Sequence, residues 1–193
     1  MTINYCKILP CVAFAGVMSL AVSFNSTLAV ASGSMAAPAL YSQLEAFHGH
    51  VCAGSIFGVR LGLAAKEALK TAGGTGKFMA RYYDLSCPID GIQVAAGTTY
   101  GNKALTVQDQ DEHRLVLTAV GNKRSVEARL TKKAEEMGLR SRDLGKKAKI
   151  LPTDAPERLQ LEQEAEEIYT WLRSAPVDEV VIVTTLKSKK LGR

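Results

Sequence analysis

Gly54, Gly58 and Gly62 recur every four residues, which places all three on one face of any helix that contains them. Each glycine costs about 1 kcal/mol of helix propensity relative to Ala, so three in register need a compensating contact. The spacing predicts a helix whose smooth face is packed closely by another backbone. Its expected span is Ser55 to Thr71, with Ser55 as N-cap and Gly73-Gly74 beyond its end.

Directly before this helix stands His48-Gly49-His50-Val51-Cys52. In extended backbone, residues two apart project to the same side, so two imidazoles and a thiol converge; in a helix His50 would swing away. Gly49 gives the backbone freedom to fold around an ion. Imidazole nitrogen and thiolate sulfur are the donors that borderline and soft transition metals favour, zinc foremost. The chain has one further histidine, His113, so two within three residues point to a metal site at His48, His50 and Cys52. Cys87 is the candidate fourth ligand. It precedes Pro88 at the start of an expected helix, where the dipole and free N–H groups favour a thiolate. With Cys87 the shell is closed and zinc structural; without it a position stays open for catalysis. A Cys52–Cys87 disulfide with bystander histidines is the competing reading. Asp90, one helical turn beyond Cys87, is placed to orient a metal-bound histidine or water, or simply to serve the helix N-terminus.

Elsewhere, hydrophobic periodicity predicts a short helix from Leu40 to Phe47 and a strand from Phe78 to Leu85. The helix opened by Pro88 should end at Gly97. Ala104–Gln108 and Arg114–Val120 read as a hairpin with His113 at its exposed tip. Ser125 to Met137 reads as a charged amphipathic helix, and 138–152 as irregular and exposed. A stronger helix is expected from Pro156 to Arg173, capped by Asp154, and a β-branched strand from Val180 to Leu186. Gly97 to Lys103 lacks the spacing of a phosphate-binding loop and reads as a turn bordering the site, with Thr98 and Lys103 as polar contacts. Intermixed strands and helices without a regular βαβ rhythm give an α+β class, a mixed sheet packed against helices.

Lys7 is the only charge before Glu45, an apolar run covers Ile8 to Phe24, and Ala29-Val30-Ala31 supplies a small-x-small cleavage pattern. Residues 1–31 are therefore expected to be a signal peptide, leaving a single domain over 32–193 in an exported, periplasmic protein with no membrane segment after cleavage. The run is short of the about 20 residues that span a bilayer. Cleavage removes Cys6 and Cys11, so Cys52 and Cys87 remain in a compartment that tolerates disulfides. The formal charge of +5 is spread over basic residues interleaved with acids from Lys66 onward, which argues against a nucleic-acid partner.

The stretch Phe47-His48-Gly49-His50-Val51-Cys52-Ala53-Gly54, followed by Gly58 and Arg60, by Cys87-Pro88-Ile89-Asp90-Gly91-Ile92-Gln93 and by Gly97-Thr98-Thr99-Tyr100-Gly101-Asn102, resembles the FmdE family, named after a component of formylmethanofuran dehydrogenase. The similarity covers about residues 40 to 190. It implies an α+β fold, a homodimer, and a metal-associated pocket carried by His48, His50, Cys52 and Cys87. Thr98 stands where the family often has a cysteine, and no cysteine follows Cys87 to build the zinc-binding tail of many members. Export also separates this chain from intracellular formylmethanofuran chemistry, so the family name does not give its activity. The expectation is an exported protein that binds a transition metal or metallocofactor and presents it to a partner redox enzyme. The alternatives are a metal-dependent enzyme activating water at the same residues, and a haem protein with a His or Cys axial ligand. For covalent haem the Cys-x-x-Cys-His box is missing.

Overall fold

The computed structural model describes residues 38–187. The expected signal peptide at 1–31 lies outside them. The helix that carries the glycines, α2 (Ala53–Thr71), lies at the centre of the fold and buries twelve of its residues, including Ile56, Leu61, Ala65 and Leu69. It follows α1 (Pro38–His48) after a short connection. The glycine face receives α3 (Pro88–Ala96), as the spacing predicted. A Cβ on Gly58 would run into the Pro88 carbonyl, and one on Gly91 of α3 would run into the Ser55 carbonyl. The two helices thus meet backbone to backbone. Pro88 at the first helical position and left-handed Gly97 at the end bound α3 as expected.

On its other side α2 covers a five-stranded sheet of order β2-β1-β3-β4-β5. Its strands are β1 (Phe78–Tyr83), β2 (Leu105–Val107), β3 (Glu112–Ala119), β4 (Ser125–Leu130) and β5 (Val181–Leu186). Alternation puts Leu115 and Leu117 of β3 and Val126, Ala128 and Leu130 of β4 into the core. The opposite face carries Arg114, Glu127 and Arg129, paired with one another and with Glu112. One wet and one dry face is the usual pattern of an antiparallel sheet. The remaining helices are α4 (Lys132–Lys149), α5 (Pro156–Ser174) and α6 (Val177–Val180). Among the described residues no helix is long and apolar enough to cross a membrane.

The α+β class stands, but four local expectations change. β2 pairs in parallel with β1, and β3 pairs antiparallel with β1, so residues 104–120 form no hairpin. β1, α3 and β2 instead make one βαβ unit. Ser125–Leu130 is the strand β4, held between β3 and β5, and the helix starts only at Lys132, capped by the Thr131 hydroxyl on the Ala134 N–H at 3.1 Å. Residues 138–149, expected to be irregular, continue that helix. Ala155, with no side-chain cap, takes the N-cap of α5 in place of Asp154.

Candidate metal centre and its cleft

The motif residues converge, though not as a strand. His48 is the last residue of α1, and the chain turns at Gly49, whose φ of +85° is accessible to glycine at little cost. Cys52 is then the extended N-cap of α2, so that helix begins at Ala53 and its cap is Cys52 rather than Ser55. Ser55 completes a capping box: the Cys52 sulfur accepts from the Ser55 N–H at 3.4 Å, and the Ser55 hydroxyl accepts from the Cys52 N–H at 3.1 Å. The ligand atoms of His48, His50 and Cys52 all lie within 4.8 Å of one another. The two imidazole rings are 4.6 Å apart between centroids.

Asp90 is the group that orients this set. Its Oδ2 lies 2.7 Å from His48 Nδ1, which keeps a proton on that nitrogen and turns Nε2 toward the Cys52 sulfur, 4.0 Å away. Asp90 also accepts from Gln93 Nε2 at 3.2 Å, and Gln93 Oε1 accepts from the Tyr100 N–H at 3.0 Å. The glycine-threonine loop therefore braces the site through Gln93. Thr98 is buried with its hydroxyl unpartnered among the described residues, and Lys103 is exposed in a left-handed turn. Neither makes the polar contact expected of it.

Asp90 holds the His48 imidazole above its ordinary pKa against the effect of burial, with the Cys52 sulfur adding to the rise. Burial pushes the Cys52 thiol up, but hydrogen bonds from the Ser55 backbone and hydroxyl, with help from His48 and Cys87, leave it below its usual value. Cys87 is pushed up, first by burial and then by the negative Cys52 beside it. The two thiols are free, and Cys87 is exposed. Cys87 stands close by, its Cβ 2.9 Å from where a Cβ on Gly54 would sit, but outside the group of three.

His50, Cys52 and Cys87 help line a cleft of about 1040 Å³ between α2, β3, α4 and α5. Two residues that the sequence did not single out for this site belong to its walls. Tyr169 of α5 reaches in near Cys52, and burial followed by the negative Cys52 raises its hydroxyl pKa. His113 is not an exposed hairpin tip. It sits on β3 with Nδ1 2.9 Å from the Tyr82 hydroxyl and 3.1 Å from Asp84 Oδ2, packed against the Phe57 ring. A β3 side chain of this kind has no sequence signature until its neighbours on β1 are known.

The model of the FmdE family, described as "FmdE, Molybdenum formylmethanofuran dehydrogenase operon", matches residues 47–182. The chain belongs to the FmdE family. A tungsten formylmethanofuran dehydrogenase FmdE-like protein from Syntrophus aciditrophicus shares the fold with this FmdE chain at a TM-score of 0.56 and 19% identity, over 82% of this chain and 78% of that one. No curated protein matches the sequence. The matched region of the FmdE chain contains all four expected ligand residues, Asp90 and both newly found cleft residues.

Proposed function

We propose that the protein is an exported transition-metal binder, zinc foremost, with His48, His50 and Cys52 as ligands and Cys87 as a neighbouring thiol that can complete or leave the shell. The observation that carries this reading is the convergence of three donor atoms within 4.8 Å, one of them on a histidine oriented by a carboxylate. The donor set fits: two imidazoles and a thiolate are ordinary zinc donors, and they lie within 4.8 Å of one another, His48 Nε2 and Cys52 Sγ at 4.0 Å. When bound, such an ion supplies Lewis acidity to a ligand entering from the cleft. The residues do the rest. Asp90 fixes the His48 tautomer, Ser55 favours the Cys52 thiolate, and Tyr169 lines the same cleft.

Metal analysis of the protein purified from its native compartment tests this, with Cys52→Ser alongside. About one equivalent of metal in the parent and its loss in the variant is the expected result. A metal-free parent whose mass shows Cys52 joined to Cys87 would overturn it, and a Soret band would favour haem. Export rests on the Ala29-Val30-Ala31 pattern, and N-terminal sequencing of the secreted form checks it. A homodimer that hands its metal to a redox enzyme rests on the family alone; light scattering checks the dimer.

A further inference from the structure

Arg142, Lys146 and Lys149 follow one another at helical spacing along α4, and all three line the cleft. Among the described residues none of them has a carboxylate partner. Off the cleft the pattern reverses: Lys132 meets Glu136, Lys133 meets Glu179 and Arg140 meets Glu164, which leaves Lys147 as the one α4 cation outside the cleft with no such pair among the described residues. Attraction of Lys146 and Lys149 to the negative C-terminal end of the helix does not explain Arg142, which stands two turns inside it.

Three acidic groups, Asp111, Glu112 and Glu135, also line the cleft. Glu112 is taken up by Arg114 and Arg129. Glu135 sits in the first turn of α4, seven residues before Arg142, about 10 Å away along the helix axis. Asp111 lies on the turn before β3. On the α4 wall the charge therefore runs from Glu135 in the first turn to the basic stripe toward the C-terminal end.

Its floor is kept open by small residues. Gly145 lines the cleft, and a Cβ placed on it would meet nothing within 4 Å. Asp84 and Tyr82 hold His113 by Nδ1. This leaves Nε2 as the ring nitrogen with no partner among the described residues, on a side chain that lines the cleft. A volume of about 1040 Å³ is at the upper end of what small-molecule sites enclose.

We propose that this cleft binds a small organic anion, a carboxylate or phosphate ester, with its charge on Arg142, Lys146 and Lys149 and its other end directed past His113 at the His50–Cys52 group. The inner end of this assignment rests on the metal-binding reading; the anion-binding stripe does not. Exposed cations that gain a bound counter-ion gain more inside a concave wall than on an open surface, because the wall excludes water and concentrates the field.

Calorimetry at fixed ionic strength tests it on the zinc-loaded and the metal-free protein, with succinate and inorganic phosphate as probes and uncharged succinamide as control. Replacing Arg142, Lys146 and Lys149 together by Ala, or plugging the floor with Gly145→Phe, is expected to weaken anion binding by about tenfold or more. The matched triple replacement of Lys132, Lys133 and Arg140 by Ala removes the same net charge outside the cleft and should change binding less than about twofold. Circular dichroism confirms that each variant is folded. Equal weakening by both triple replacements, succinamide binding as well as succinate, or no saturable binding of either anion would overturn the proposal. Metal content is measured on the same samples. Stripe-dependent anion binding to a parent that takes up no metal would refute the metal reading and leave this one standing.

Discussion

Asp90 lies in the first turn of α3, where a carboxylate suits the positive end of the helix in any case. What distinguishes it is the 2.7 Å contact to His48 Nδ1. Asp90→Asn keeps the shape but removes the charge that fixes the imidazole, so metal affinity should fall about 10- to 100-fold with the fold intact. Competition with a chromophoric chelator measures this, and an unchanged affinity would show that Asp90 only serves its helix. The grouping of His48, His50 and Cys52 was legible in the sequence because donor types and spacing are local properties. The reason for their convergence was not. Strand alternation was the expected cause, whereas a helix end at His48, a turn at Gly49 and a thiol cap at Cys52 produce it. His113 and Tyr169 reach the cleft from β3 and α5, and only the tertiary fold brings them there.

At the scale of elements, glycine spacing announced the α2–α3 contact because the requirement is steric and leaves its mark on one residue type. Gly58→Ala should destabilise the protein by about 3 kcal/mol, since the added methyl meets the Pro88 carbonyl rather than a movable side chain. Gly145→Ala should do the opposite, adding up to about 1 kcal/mol of helix propensity in open space. Chemical denaturation of the two variants gives the signs. The misread elements have a common origin in weak local signals. Ser125–Leu130 is rich in Glu, Ala, Arg and Leu, all good helix formers, and becomes a strand because β3 and β5 flank it. The second half of α4 showed no apolar stripe because the face it packs is made of Gly138, Ser141 and Ala148 as well as Leu144. Gly138 touches the Phe57 ring, where a side chain would not fit.

Across the molecule, Arg60 joins parts that are far apart in sequence. It is buried on α2 and donates from Nη1 to the Arg173 carbonyl at 2.9 Å and from Nη2 to the Ala175 and Pro176 carbonyls, where α5 ends and the chain turns toward β5. Arg60→Met would leave those carbonyls without their donor, at a cost of about 3 kcal/mol and roughly 6–12 °C in Tm for a domain of this size. A thermal scan checks this; an unchanged Tm would mean that water replaces the guanidinium. The same frame bears on how an ion would leave the candidate centre. His48 is tied to α3 through Asp90, and Cys52 is tied to α2 through Ser55, on two helices that meet backbone to backbone at Gly58 and Gly91. His50 alone is exposed, next to the glycine turn. Exchange at such a centre should begin with release of that one arm, so His50 governs the rate of ion turnover more than its equilibrium, while the helix seam sets the affinity.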